Sequence, residues 1–430
     1  MGLMQQVRDA DLSLLQSAVD EVVAKKSEDG AQRPDPDHPA VQAAATEAVL
    51  HAAVNAGQAP AMQGKGGAVS YCATLARNYG CAKLQGRDDD AAKYKALLDE
   101  RFGVCDPHWA EAAEKYAEFL ASRQQIPYRQ YTDINQYVDN RLSETARIAL
   151  VGDWGTGQPQ AIELLRQIAA KKPDVVIHLG DIYYSATDFE CQTYFYDIWS
   201  KYLDLNKVAT FTLAGNHDMF SGGAPYYRLI DRLGQPASYF CLRNSKWQVI
   251  AIDTGLHDCD PLGKDPTYLE NSEVAWLRHK LYDTAGGRRT ILLSHHQLFS
   301  AFESIGGQAV NPKLQQQLGP MLDKVDMWFW GHEHNLVVYQ KYLNVLARCI
   351  GHGAFPVGAG EVPTKPVNDI PVENVRLAGD PFLNHGYVMV ELKDASADIA
   401  YYDDTNEVDP MWTERLEAPA VTGLATGAGS

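Results

Sequence analysis

The stretch RIALVGDWG, residues 147–155, decides the fold of this chain. It begins with a short apolar run and changes at once to Gly152 and Asp153. A short, continuous apolar run that ends at a turn residue predicts a buried strand, and the glycine allows a sharp backbone turn there. We therefore expect a strand that delivers a carboxylate to the carboxyl edge of a sheet.

Four other strand-like runs end in the same way, with a polar side chain that can bind metal. The junctions are GDIYYS (180–185), GNHD (215–218), SHH (294–296) and GHEHN (331–335). In layered α/β folds, functional sites gather at the carboxyl ends of strands. One such block occurs by chance, but five in order make a strong signal. The candidate ligands are Asp153, Asp181, Asn216, His295, His332 and His334.

The chemistry of this ligand set favours a dinuclear metal centre. Carboxylate, carboxamide and imidazole without thiolate suit Fe, Mn, Zn or Co, and imidazole disfavours a pure Ca or Mg site. Six ligands are too many for one tetrahedral ion. They match two ions about 3.5–4 Å apart that share a carboxylate, an arrangement used for in-line displacement at phosphorus.

The five blocks, over about residues 147–402, resemble those of the calcineurin-like metallophosphoesterases, and two details resemble the purple acid phosphatase branch. Many members of the wider family have a metal-binding histidine where this chain has Gly155, as that branch does. Tyr184 lies three residues after Asp181, where the branch has the tyrosinate that binds ferric iron. The alternative for Tyr184 is an aromatic side chain packed in a groove beside Tyr183.

The resemblance implies an α/β fold of two packed β-sheets flanked by helices, with two metal ions, Fe paired with Fe, Zn or Mn. The first ion would be held by Asp153, Asp181, Tyr184 and His334, and the second by Asp181, Asn216, His295 and His332. Asp181 would bridge the two ions. The cations would lower the pKa of a bound water from 15.7 toward about 7, and the resulting hydroxide would attack phosphorus.

The departing alkoxide needs a proton, and His217, next to Asn216, is placed to supply it. Asp218 would orient His217 and favour its protonated form, because a carboxylate beside an imidazole stabilises the cation. A phosphomonoester is the favoured substrate. The alternatives are small or cyclic nucleotide diesters and, from a different class, a non-catalytic interaction module, although such a relative would be expected to have lost ligands.

Other titratable residues near these blocks have more than one interpretation. His296 follows His295 directly, so either one could be the ligand; the family pattern favours His295 and leaves His296 to face substrate or solvent. Glu333 is expected to be solvated or to support the ligands from behind. His178 lies inside an apolar run and is expected to be a hydrogen-bonded core histidine. His352, between two glycines, could reach the mouth of the site.

At 430 residues the chain is too long for one compact core of ordinary size. Apolar residues at helical spacing dominate the first part, where Asp106 and Pro107 give a clear helix start signal. Short apolar runs follow at 148–151, 175–179, 211–214, 249–252, 291–293, 327–330, 387–392 and 399–402. The predicted organisation is a helical domain (1–122), a Tyr-rich linker (123–145), a catalytic domain (146–403) and a flexible tail (404–430).

The formal net charge of −17 argues against a nucleic-acid partner, since such binding needs clustered Lys and Arg. The N-terminal residues lack the apolar core of a secretory signal, and no stretch approaches the roughly 20 apolar residues of a membrane span. The expected location is therefore the cytoplasm, and the expected partner is a small phosphate ester. Oligomeric state is left open, and we hypothesise that the helical domain packs beside the mouth of the site.

Overall fold

The computed structural model of the chain describes residues 75, 78, 79, 82, 87–101, 106, 109–261, 265–359, 361–363, 365–373 and 377–418. Most of the predicted helical domain (1–122) lies outside these residues. Two helices of that region are described, at Asp88–Asp99 and Trp109–Ser122. The second helix agrees with the start signal at Asp106 and Pro107.

Two β-sheets form the centre of the molecule. The larger sheet has the strand order β1-β5-β6-β7-β8-β10-β9-β11, and the smaller has the order β14-β13-β12-β2-β3-β4. The strands are β1 Val138–Asp139, β2 Arg147–Val151, β3 Val175–His178, β4 Ala209–Thr212, β5 Phe240–Arg243, β6 Trp247–Ala251, β7 Arg289–Ser294, β8 Met327–Trp330, β9 Leu336–Tyr339, β10 Leu346–Ile350, β11 Val372–Glu373, β12 Gly386–Lys393, β13 Ser396–Asp403 and β14 Trp412–Leu416.

The ligand-bearing strands run parallel within each sheet. In the smaller sheet β2, β3 and β4 are parallel, and in the larger β6, β7, β8 and β10 are parallel. Parallel strands are buried on both faces, which explains why they appear in the sequence as continuous apolar runs. Their carboxyl ends lie at one edge of each sheet, so the loops that follow them can meet.

Side chains from the inner faces of the two sheets form one core between them. It includes Leu150 and Ile177 of the smaller sheet and Leu293 and Phe329 of the larger. Helices cover the outer faces. The helical segments after residue 146 are Pro159–Ala170, Asp188–Glu190, Cys191–Tyr196, Asp197–Tyr202, His217–Phe220, Ala224–Leu233, Asn271–Arg278, His279–Asp283, Pro312–Leu318 and Gly319–Lys324. This architecture confirms the predicted fold of two packed sheets flanked by helices.

Two segments differ from the predicted organisation. Within the predicted tail, β14 pairs antiparallel with β13, and Leu416 is buried in the core between the sheets. Within the predicted linker, β1 pairs parallel with β5, and the ring of Tyr128 stacks on Tyr239 at 5.8 Å between centroids. Both segments therefore contribute a strand to the sheets, and the predicted tail does so as far as Leu416.

Among the helices that the structure describes, none is both long and apolar enough to cross a membrane.

Candidate metal centre

The candidate ligands come together where the parallel strands of both sheets end. Asp153, Asp181 and Asn216 follow β2, β3 and β4, while His295 follows β7 directly and His332 follows β8. The loops of the two sheets face each other, since Asp181 Oδ2 lies 3.4 Å from His295 Nε2. The edge-of-sheet position predicted for these residues is thus the position that the structure gives them.

The backbone at this edge takes conformations that side chains disfavour. Asp153, Asp181 and His332 have φ values of 52°, 74° and 67°, in the left-handed region. Such conformations concentrate at functional sites, where the surrounding structure holds them in place. The glycines permit close approach, because a Cβ on Gly215 would lie 2.1 Å from Asp181 Oδ1 and one on Gly331 would lie 2.7 Å from Asp153 Oδ2.

Asn216, His295 and His332, with Asp181, form what we call the imidazole group. His295 Nδ1 lies 2.9 Å from the carbonyl oxygen of Leu179, which only accepts, so Nδ1 carries a proton and Nε2 is the nitrogen that offers a lone pair once it is deprotonated. That lone pair lies 3.1 Å from Asn216 Oδ1 and 3.2 Å from His332 Nδ1, and the latter two atoms are 3.0 Å apart. Three electron-donating atoms converge on one point, which fits a cation.

Asp153, Asp181 and His334 form what we call the carboxylate group. One ligand atom from each lies within 4.8 Å of the others, and His334 Nε2 is 3.4 Å from Asp153 Oδ1. The two groups are connected, because the backbone N–H of His332 donates to Asp153 Oδ2 at 2.8 Å. Asp181 contacts both groups, which is the position a bridging carboxylate needs.

The tyrosine that reaches the carboxylate group is Tyr183. Its hydroxyl donates to Asp153 Oδ1 at 2.9 Å and lies 3.0 Å from His334 Nε2. The hydroxyl of Tyr184 donates instead to Asp106 Oδ2, in a separate buried contact. The structure therefore does not bring the Tyr184 hydroxyl to the ligands, and its predicted role as a ligand stays a prediction.

The charges of Asp181 and His295 each shift the pKa of the other residue strongly. Burial raises the pKa of Asp181, but the charges of His295 and His217 outweigh it and hold that pKa well below its usual range. Burial lowers the pKa of His295, yet Asp181 outweighs that effect and raises the pKa to about 9. Burial, with His296 and His295 nearby, holds the pKa of His332 well below its usual range, so His332 is neutral, as a ligand must be.

His217 lies beside Asp181 with its ring held in one orientation. Its Nδ1 donates to the carbonyl oxygen of Tyr184 at 2.7 Å, its backbone N–H donates to Asp181 Oδ1 at 3.0 Å, and its Nε2 is 3.8 Å from Asp181 Oδ2. Burial lowers the pKa of His217, and the Asp181 carboxylate and the Tyr184 carbonyl oppose that effect. Nε2 is thus the nitrogen that faces the ligands.

Asp218 supports the loop that carries Asp181. Its Oδ2 accepts from the backbone N–H of Asp181 at 2.9 Å and of Gly215 at 2.8 Å. Burial, with the nearby charge of Asp181, raises the pKa of Asp218 to about 8. Its predicted role in orienting and charging His217 stays a prediction, because the ring partner that the structure shows is the Tyr184 carbonyl.

The side chain of His296 lies next to the imidazole group. Its Nδ1 lies 3.0 Å from Thr254 Oγ1 and its Nε2 lies 2.9 Å from Asp258 Oδ2, while its ring is 4.2 Å from that of His332. His295, His296 and His332 each offer a ligand atom within 4.8 Å of the others, so the preference for His295 over His296 stays a prediction. Sequence reasoning did not identify Thr254 or Asp258, because neither belongs to a junction block.

The remaining residues singled out in the sequence lie away from the ligand atoms. Glu333 is buried and accepts a hydrogen bond from Ser300 Oγ at 2.7 Å, which places it behind the ligands. His178 Nδ1 lies 2.9 Å from Thr212 Oγ1 in the core, as expected. The ring of His352 is buried against Gly386, where a Cβ would lie 2.5 Å from its Nε2.

The comparison with models of known protein families agrees with these candidate ligands. Residues 146–336 match the family model of the calcineurin-like phosphoesterases, a range that contains every candidate ligand from Asp153 to His334. No curated protein matches the chain significantly.

Several solved structures are similar to this chain in fold. GAP50, the anchor in the inner membrane complex of Plasmodium, is 18% identical with a TM-score of 0.48, over 64% of this chain and 89% of that one. A dimetal phosphatase from Danio rerio is 12% identical with a TM-score of 0.42, over 63% and 98%. A predicted phosphoesterase from Streptococcus pneumoniae is 13% identical with a TM-score of 0.30, over 63% and 97%.

The matched range, the two-sheet fold and the candidate ligands at the strand ends agree, and residues 146–336 are therefore similar to the calcineurin-like phosphoesterase domain.

Proposed function

We propose that this chain is a dinuclear metal-dependent phosphoesterase. The observation that carries the proposal is the convergence of the imidazole and carboxylate groups on Asp181, which lies in contact with both. Two ions that share one carboxylate are the usual arrangement for in-line displacement at phosphorus.

The donor atoms fit such ions. Carboxylate oxygens, one amide oxygen and imidazole nitrogens, with no thiolate, suit Fe, Zn or Mn. We propose Fe paired with Fe, Zn or Mn, held by the residues of the two groups. If a tyrosinate binds ferric iron, the contacts of Tyr183 with Asp153 and His334 make Tyr183 the better candidate. When bound, two such ions supply a water nucleophile of lowered pKa and positive charge for the phosphoryl oxygens.

His217 is the proposed proton donor to the leaving oxygen. The Tyr184 carbonyl holds Nδ1, so Nε2 faces the centre beside Asp181. Because Nδ1 already donates to that carbonyl, Nε2 carries a proton only when the ring is the imidazolium cation, and in that form it can pass the proton to the departing alkoxide. A positioned acid of this kind contributes about 10²–10⁴-fold in rate. Rings of Tyr183 and Phe220 lie 4.7 and 4.6 Å from the His217 ring, which restricts its rotation.

A phosphomonoester is the substrate class we propose, on the basis of the resemblance to the purple acid phosphatases. Small or cyclic nucleotide diesters are the second candidate for the same centre. His296 and Asp258 line one side next to His332, so they are placed to contact the substrate.

Metal analysis followed by a substrate panel tests the proposal. Protein stripped with a chelator and reloaded with Fe, Zn or Mn should bind about two ions per chain and hydrolyse at least one ester of a panel of mono- and diesters. Activity should be absent in the stripped protein and return on reloading. Full metal loading without hydrolysis of any ester in the panel would instead favour the non-catalytic interaction module.

A further inference from the structure

The orientation of His217 depends on the main chain of Tyr184. The carbonyl oxygen of Tyr184 accepts the Nδ1 proton at 2.7 Å. Whatever fixes Tyr184 therefore also fixes the direction of His217 Nε2, the atom from which the proposed proton transfer starts. This inference rests on the proposed function, because it concerns the proton donor of that reaction.

Tyr184 is fixed from three sides. Its backbone N–H donates to Glu190 Oε1, a carboxylate that also accepts from the backbone N–H of Thr187 at 2.8 Å. Its ring is 3% exposed and packs in an apolar cluster with Phe220 and Phe355. Its hydroxyl donates to Asp106 Oδ2. Backbone, ring and hydroxyl thus each have a separate partner.

The partner of the hydroxyl comes from the N-terminal part of the chain, outside the matched range 146–336. Asp106 is only 4% exposed, so this contact is shielded from solvent. Arg101 also hydrogen-bonds the Tyr184 hydroxyl and donates to Tyr194 Oη at 2.8 Å. A buried carboxylate bonded to a phenol and an arginine nearby is a polar contact that is costly to disrupt.

The helix that follows Asp106 packs against the helix that carries His217. Trp109–Ser122 contacts His217–Phe220, and Ala112 is fully buried in the same cluster as Tyr184 and Phe220. The Phe119 ring lies so close to Gly222 that a Cβ there would be 2.3 Å from it. The N-terminal part therefore reaches the proton donor both through Tyr184 and through this helix.

We propose that Asp106 and Tyr184 are positioning residues for His217, so that the N-terminal part of the chain controls the orientation of the proton donor. Asp106 holds the Tyr184 hydroxyl, the Tyr184 carbonyl holds His217 Nδ1, and His217 Nε2 faces the leaving group. Neither residue touches the substrate, and neither is needed to bind metal.

The test compares leaving groups in the full-length, metal-loaded protein. Tyr184→Phe and Asp106→Ala should each lower kcat by about 3- to 10-fold on an alkyl phosphate, with KM changed by less than about twofold. The reason is that each variant removes the hydrogen bond between Asp106 and the Tyr184 hydroxyl, which acts on His217 only through Tyr184. On an aryl phosphate with a good leaving group, which needs little proton assistance, the loss should be smaller. Asp106→Asn keeps an acceptor oxygen and should restore most of the rate.

A double-mutant cycle separates positioning from general damage. If Tyr184 acts through His217, Tyr184→Phe should cost nothing further in a His217→Ala background. Tyr282→Phe is the matched control, since Tyr282 is partly exposed and its hydroxyl donates to the Pro320 carbonyl at 2.9 Å, outside the candidate centre. It should leave the rate on both substrates unchanged. Equal losses on both leaving groups, or full additivity with His217→Ala, would overturn the proposal.

Metal content distinguishes positioning from ligation. Tyr184→Phe should keep two ions per chain and the visible spectrum of the iron-loaded protein. Loss of an ion or of a tyrosinate band in this variant would make Tyr184 a ligand and overturn the proposal.

A readout without catalysis keeps this inference separate from the proposed function. The ¹⁵N spectrum of the His217 ring should show a protonated Nδ1 whose exchange with solvent is about tenfold faster in Asp106→Ala than in the wild type. If the wild-type protein hydrolyses no ester, the proposed function fails, and the ring spectrum still decides whether Asp106 holds His217. If the wild type is active and Tyr184→Phe behaves as wild type on both substrates, the inference fails alone.

Discussion

The imidazole group and the carboxylate group differ in charge and in burial. Besides Asp181, the imidazole group has three candidate ligands that are neutral when they bind metal, and two of them, His295 and Asn216, are buried. The carboxylate group combines two anionic residues with His334, whose side chain is 25% exposed, and with the hydroxyl of Tyr183. Hard anionic oxygens suit a trivalent ion, and imidazole suits a divalent one. On this difference we propose that the two groups bind two unlike ions.

Removal of Asp181 should have the largest effect, because both groups use it. We expect Asp181→Asn to lower kcat/KM by more than about 10³-fold and to reduce the bound metal below two ions per chain, since a bridging carboxylate is lost. Metal analysis and steady-state kinetics check this. Asp188→Asn, at an exposed residue paired with Arg228, is the control. Retention of both ions in Asp181→Asn would show that the two groups are independent.

Loss of His217 should affect catalysis without affecting either group of ligands. His217→Ala should lower kcat by about 10²–10⁴-fold on a poor leaving group while both ions remain bound. Kinetics on alkyl and aryl phosphates, with metal analysis of the same preparation, provide the measurement. If metal is lost, or if the rate is unchanged, His217 is not the proton donor.

The imidazole group should depend more steeply on pH than the carboxylate group. Metal binding needs His295 without its Nε2 proton, and the pKa of His295 is raised to about 9 in the metal-free protein. Below that pKa the proton competes with the ion, so affinity should fall about tenfold for each pH unit between roughly pH 9 and pH 6. Calorimetry in buffers of different ionisation enthalpy should detect about one released proton at pH 7. Affinity that is flat over this range would contradict the assignment.

The smallest expected effect concerns the tyrosine of the carboxylate group. Tyr183→Phe removes a hydroxyl that contacts Asp153 and His334, and in iron-loaded protein it should shift or abolish any tyrosinate band while kcat falls less than about tenfold. The visible spectrum of Tyr183→Phe beside that of Tyr184→Phe is the measurement. A band lost only in Tyr184→Phe would restore the ligand assignment predicted from spacing.

The parts of the fold that could be predicted are those with a continuous apolar run. Strands such as β3 and β8 are buried on both faces, so every position carries an apolar preference that can be read locally. Strand β10 was not predicted, because Arg348 interrupts its apolar pattern. Arg348 is nevertheless buried, since Glu414 from β14 pairs with it at 2.5 Å.

The candidate site likewise has parts that could be predicted from the sequence and parts that could not. Each Asp, Asn and His ligand follows a strand, so its meeting with the others follows from the parallel arrangement of the sheet. Which of the two adjacent tyrosines faces the ligands was not predictable, because the spacing rule transfers a position and not the direction of a side chain. Asp106 was predicted only as a helix start, and its contact with Tyr184 and that of Asp258 with His296 were not predictable, since the partners are distant in sequence.

The sequence by itself determined the buried strands and the candidate Asp, Asn and His ligands at their ends, because strand-forming runs and the turns that end them are local patterns. The two packed sheets were predicted from the family resemblance. The tertiary structure alone decided that Tyr183 faces the ligands, that Asp218 holds the Asp181 loop, and that Asp106 reaches Tyr184 behind His217. These contacts depend on how segments that are distant in sequence pack together, and such packing produces no periodic pattern in the amino-acid sequence.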